Sequence, residues 1–293
     1  MKGLQTEVAV ETLSVGLSFG DRIMVLGSCF ADSVGRRLCD AGFDAMVNPF
    51  GTLYNPVSVS NAVSRMASGV PFGREDCVEM GAGAGLVCSF SHHTAFARES
   101  EEAFLEVANN SLSRASAFWS SCNKVIVTLG TSWCFRNRST GETVANCLKR
   151  PSSEFERYKL EASETAALTG RMADRYPDKE FIFTVSPVRH LADGAHGNAV
   201  SKASLLLAVD EVCSRRPGRC CYFPSYEILM DELRDYRFYA DDMVHPSSKA
   251  EDYIFTRLMD AALQDGERST LEANLKAFRQ SRHDPSWREK RNL

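Results

Sequence analysis

The 293-residue chain is 44% apolar and 25% charged, with a formal net charge of −4 and a pI of about 5.9. These proportions are those of a soluble globular protein and exclude disordered, coiled-coil and collagen-like chains, while the length accommodates one α/β unit with excursions and a substantial core. No stretch concentrates Lys and Arg densely enough to neutralise a row of phosphates, which argues against nucleic acid as a partner. No apolar run approaches the roughly 20 residues needed to cross a bilayer, which argues against a membrane span.

The N-terminal segment MKGLQTEVAVETLSVG places polar and acidic residues where a signal peptide needs an unbroken apolar stretch, so a cytoplasmic location is expected. The ten cysteines agree with that expectation. None forms CxxC, and Cys220 and Cys221 are adjacent, a pattern that suits neither a zinc site nor a disulfide framework. The locally basic tail from Arg282 to Arg291 is interrupted by acidic residues and reads as a solvated C-terminus.

In chain order, the first strand is expected at Ile23 to Leu26. A helix follows at once, because Phe30, Val34 and Leu38 recur at spacing four while Arg36, Arg37 and Asp40 fall between them. A helix over 57–68 precedes an insertion around 71–100, in which Gly81 to Gly85 turns between short strands and is expected to lie over the carboxyl edge of the sheet. Then come a helix over 101–119, a strand at Val125 to Leu129, a helix over 155–175, a strand at Phe181 to Val185, a helix over 200–215 and a strand at Cys220 to Phe223. Helices over 247–262 and 268–280 close the chain. Short continuous apolar strands alternating with helices predict an α/β fold with a mainly parallel sheet, buried on both faces. One domain is expected over 1–265, with a C-terminal helical extension over 266–293.

In an open parallel sheet, the loops beyond the carboxyl ends of the strands surround the binding crevice. Ser28 stands at a strand-to-helix turn, where its hydroxyl can project while the unpaired N–H groups of the helix face a developing oxyanion. The same position also suits an ordinary helix N-cap. A serine nucleophile needs a base oriented by a third group. Asp242 and His245, three apart before a helix, have the right types and spacing, and so do Asp193 and His196; the spacing alone leaves both open. Cys29 is a rival nucleophile if its thiol is acidified. His92, next to His93, is a candidate for substrate contact at the crevice rim. No Cys, Asp or Glu at metal-ligand spacing accompanies these histidines, so no metal is expected. Arg189 is a candidate clamp for an anion, or the partner of a surface carboxylate.

The run Gly27-Ser28-Cys29-Phe30-Ala31 resembles the signature of the GSCFA domain proteins, a bacterial branch of the SGNH (GDSL-like) hydrolase superfamily. Asn48 to Gly51 with Tyr54 to Pro56, Thr128 to Thr131, Ser186 to His190 and Asp241 to Ser247 also resemble that family, in the expected order. The resemblance implies a three-layer α/β/α sandwich with a flavodoxin-like sheet. It also implies a Ser28–His245–Asp242 triad, which selects His245 over His196, and ester hydrolysis through an acyl-enzyme without a cofactor. For the oxyanion hole it implies the backbone of Ser28 and Gly51. The superfamily's GxND block is replaced here by Gly130-Thr131-Ser132-Trp133, so the asparagine amide is missing and Thr131, Ser132 or Asn55 stands as substitute. Asn55, His92 and Arg189 are the expected substrate contacts. The expected substrate is a small-molecule or carbohydrate ester carrying acetyl or another short acyl group. An acyltransferase on the same triad, and a non-catalytic module binding an anion or glycan at the helix behind Ser28, are the alternatives.

Overall fold

The computed structural model describes residues 6–281. The strand β1 (Arg22–Gly27) leads into α1 (Cys29–Asp40), followed by β2 (Asp44–Val47) and α2 (Pro56–Ser68). Next come the antiparallel pair β3 (Val78–Glu79) and β4 (Val87–Cys88), then α3 (Glu101–Ser121) and β5 (Lys124–Leu129). A second excursion holds β6 (Trp133–Asn137), β7 (Thr143–Val144) and β8 (Phe155–Lys159), a small antiparallel sheet. The chain continues through α4 (Ala162–Arg175), β9 (Glu180–Val185), α5 (Gly194–Ser214), β10 (Cys220–Tyr222), the short α6 (Ser225–Glu227), α7 (Ser248–Ala262) and α8 (Arg268–Ser281).

The main sheet runs β10-β9-β5-β1-β2, all parallel. Counted along the chain, its five strands lie in the order 2-1-3-4-5, the flavodoxin-like arrangement. Alternate residues of each strand feed opposite layers. Met24, Leu26, Val125, Val127, Phe181 and Phe183 pack with α2, α3, α4 and α5, whereas Ile23, Val25, Ile126 and Ile182 pack with α1, α7 and Leu271 of α8. Burial on both faces explains why these strands read as unbroken apolar runs. The result is a three-layer α/β/α sandwich.

Three details differ from the sequence expectation. The helix expected over 155–175 is a strand, β8, followed by α4, at whose N-cap Glu161 N–H donates to Glu164 Oε2 at 2.8 Å. The strand β2, four residues long, and the sheet β6 to β8 were not expected. α5 begins at Gly194 rather than near 200. The insertion around 71–100 does carry a short hairpin, and its far end reaches the carboxyl edge, where His93 N–H donates to Phe50 O at 3.0 Å beyond β2. α8 packs on α1, with Asn274 Nδ2 donating to Ala41 O at 2.9 Å. Among the described residues no disulfide joins the cysteines, and no helix is long and apolar enough to cross a membrane. The basic tail lies outside the described residues.

Candidate active site

β1 ends in Gly27, whose φ of +134° and whose hypothetical Cβ, 2.1 Å from Thr128 O, admit glycine alone. This lets the backbone turn sharply beside β5. Gly27 N–H donates to Asn48 Oδ1 at 2.9 Å, and Asn48 Nδ2 in turn donates to Asp32 Oδ1 at 2.7 Å. Ser28 N–H donates to Thr128 O at 3.1 Å. The Ser28 hydroxyl accepts from Phe30 N–H at 3.3 Å as the N-cap of α1, meets Thr128 Oγ1 at 3.3 Å, and is buried. Ser28 therefore sits between β1 and β5, where the strand order reverses and open α/β sheets bind ligands. Burial and the nearby Asp32 carboxylate push the Cys29 thiol up to about 11, so it stays protonated and is a poor rival nucleophile.

At the same edge the chain between Tyr239 and Pro246 makes a tight, exposed turn with Met243 at φ +58°. Asp242 Oδ1 accepts the N–H groups of Val244 and His245, each at 2.9 Å, and Oδ2 lies 2.7 Å from His245 Nδ1. The backbone N–H of His245 and that of Val244, then the imidazole, hold the Asp242 carboxyl down to about 2. An ionised carboxylate only accepts, so Nδ1 carries the proton in this bond and Nε2 is left as the outward-facing nitrogen. Arg189 N–H, just past β9, donates to Val244 O at 3.2 Å and ties the turn to the carboxyl edge. The other Asp–His pair is not assembled: Asp193 is held by Arg157, and His196 is exposed.

Among the described residues Ser28 Oγ makes no hydrogen bond to His245. What joins the two neighbourhoods is His190. Its Nε2 and the Cβ of Ser28 lie 3.4 and 3.3 Å from the point where Gly130 would carry a side chain, and the charge of His245 is among the influences that lower its pKa.

The expected oxyanion donors Gly51, Thr131 and Ser132 are engaged elsewhere. Gly51 N–H donates to Asn48 O at 2.7 Å, Thr131 N–H to Tyr54 O at 2.9 Å and Ser132 N–H to Ser201 Oγ at 2.8 Å. The Thr131 hydroxyl lies 3.0 Å from Ser201 Oγ, and that of Ser132 donates to the same oxygen at 3.2 Å. Asn55 is buried as the N-cap of α2, its Oδ1 taken by Ser58 N–H at 2.9 Å. His92 corrects the expectation of a rim residue. It is 0% exposed, caged by Phe50, Phe72, Phe96 and Phe104, with Nδ1 2.7 Å from Ser89 Oγ, and burial pushes its pKa down to about 3. Arg189 is partly buried, and its Nε has no hydrogen-bond partner. A cleft of about 1020 Å³ lined by Phe50, Ser58, Arg65, Phe72 and Arg150 opens elsewhere, without Ser28 or His245 in its wall. No group of three or more metal-ligating side chains occurs among the described residues.

Sequence reasoning passed over one device. The first half of α5 presents Asn198, Ser201 and Lys202 on one buried face. Asn198 Oδ1 accepts His190 N–H at 2.9 Å, Ser201 holds the 131–132 loop, and Lys202 Nζ donates to Gly130 O at 2.6 Å and Ser186 O at 2.7 Å. Burial lowers the Lys202 pKa to about 7. Polar residues at helical spacing beside an apolar run were the signal available.

A family model described as the GSCFA family matches residues 22–258. The chain belongs to the GSCFA family. That match takes in every strand of the main sheet, Ser28 and the Asp242–His245 pair, and stops before α8. No curated protein and no solved structure matches this GSCFA chain.

Proposed function

We propose that this GSCFA protein is a serine ester hydrolase of the SGNH type, removing acetyl or another short acyl group from a sugar-like or other small metabolite in the cytoplasm, without a cofactor. One observation carries the reading: a serine at the switch point between β1 and β5 shares its sheet edge with a histidine whose Nδ1 is 2.7 Å from a carboxylate. In the reaction His245 Nε2 takes the Ser28 proton as Oγ attacks the ester carbonyl, and returns it to the leaving alcohol. Water, deprotonated by the same nitrogen, then releases the acid from the acyl-enzyme. Asp242 fixes the tautomer and stabilises the imidazolium. The first step requires His245 and Ser28 to come into hydrogen-bond contact, and the Asp241–Met243 turn beside His245 is exposed.

The test is hydrolysis of short-chain p-nitrophenyl esters by the wild type and by Ser28→Ala. A loss of roughly 10³-fold or more in kcat is expected on removing the nucleophile; equal rates in the two proteins would sink the reading. The missing Ser28–His245 hydrogen bond favours a second reading, a non-catalytic module that binds an anionic or glycan ligand at α1. It predicts no ester turnover by either protein.

A further inference from the structure

Four of the backbone N–H groups expected around an oxyanion, those of Ser28, Gly51, Thr131 and Ser132, donate within the protein. A developing oxyanion gains from each further donor that faces it. Beside Ser28 one such nitrogen stands without a partner. His190 Nε2 is shielded from solvent and makes no hydrogen bond, an arrangement that is costly unless a ligand completes it. It lies 3.4 Å from the point where a Cβ on Gly130 would stand, a point 3.3 Å from Ser28 Cβ and 3.0 Å from Tyr54 O, so the bare glycine lets the imidazole and Ser28 approach each other. The ring is held in place. Asn198 Oδ1 accepts the backbone N–H of His190 at 2.9 Å, and Tyr54 packs edge-on with ring centroids 5.9 Å apart.

We propose that His190 is a catalytic residue that donates its Nε2 hydrogen to the ester oxygen that becomes negative when Ser28 attacks. The inference rests on the ester-hydrolase reading and adds the electrophile that reading lacks. Burial first, then the charges of Lys202 and His245, hold the His190 pKa down to about 4. The imidazole is thus neutral at physiological pH. A neutral imidazole with its proton on Nε2 donates a hydrogen bond without protonating the oxyanion, and it leaves the proton transfers to His245. No bond to His190 forms or breaks.

The experiment compares kcat and KM for p-nitrophenyl acetate in the wild type, His190→Phe and His190→Gln, with fluorophosphonate uptake on Ser28 as a parallel readout. Loss of one oxyanion donor lowers kcat by about 10²–10³-fold, so His190→Phe should fall by that factor while KM stays nearly unchanged. His190→Gln, whose amide can donate, should recover about tenfold or more over His190→Phe. A kcat for His190→Phe close to wild type, or equal losses in both variants, overturns the donor role alone. A wild type that neither hydrolyses the ester nor takes the phosphonate on Ser28 overturns the hydrolase reading and this inference with it. Should His190→Phe fail to fold, ¹⁵N resonances of the wild-type imidazole decide: the proposal expects the proton on Nε2, and a proton on Nδ1 with bare Nε2 overturns it.

Discussion

Gly130 stands between Ser28 and His190 with little room for a side chain. A Cβ there would lie 3.0 Å from Tyr54 O, 3.3 Å from Ser28 Cβ and 3.4 Å from His190 Nε2, each tighter than an ordinary contact, yet its φ lies outside the left-handed region. Gly130→Ala is therefore expected to fold with nearly the wild-type unfolding midpoint while wedging Ser28 and the His190 imidazole apart. Misplacement of reacting groups by a fraction of an ångström to one ångström costs about 10–10²-fold, and steady-state kinetics on p-nitrophenyl acetate should show a fall of that size. An unchanged kcat would mean that the space beside Gly130 is not used. At this scale Ser28 was legible, since it stands where a strand end meets a helix, whereas Asp242 and His245 shared their spacing with Asp193 and His196 and only the family resemblance separated the two pairs. His190 was not legible. Its sequence neighbour Arg189 is the louder residue, and the shielding of Nε2 depends on Tyr54 and Gly130, distant in the chain.

Helix α5 acts as the brace of the carboxyl edge, because Lys202 joins the loop after β5 to the loop after β9. Its burial has a measurable consequence. The folded-state pKa is lowered from 10.5 to about 7, so between pH 7 and 10.5 the unfolded chain holds a proton that the folded chain has released. Stability contributed by this group accordingly rises with pH through that window and is at its lowest below pH 7. Paired urea denaturations of the wild type and Lys202→Met should show the difference moving in favour of the wild type as pH increases from 7 to 10, by up to about 1.4 kcal/mol per pH unit. A difference independent of pH would contradict the assignment. The helices of the sandwich were readable from their apolar spacing, and α2, α3, α7 and α8 begin within a residue or so of expectation. The segment from Phe155 was not. Phe155 and Tyr158 mimic helical spacing, whereas pairing with β6 holds Phe155–Lys159 extended, a non-local interaction that overrides local pattern.

Across the whole molecule, strand order is what brings the site together. Residues 28, 130 and 190 meet because β1, β5 and β9 are adjacent and parallel, and the Asp241–Pro246 turn is bonded to the loop after β9. Alternation of strands and helices made the layer architecture legible, but the 2-1-3-4-5 order depends on pairings between segments a hundred residues apart, such as Gly27 with Thr128, and periodicity carries no record of them. The same topology places Ser28 and the turn that carries His245 at one sheet edge without a hydrogen bond between the two residues. The central claim is that the two act together, and it is tested most directly by mass spectrometry after incubation with a fluorophosphonate, comparing the wild type with His245→Ala. The account predicts a single adduct mapping to Ser28 in the wild type, forming at least about 10²-fold more slowly in the variant, as expected on loss of a general base. A folded wild type with no adduct on Ser28, or equal labelling rates in the two proteins, would contradict it.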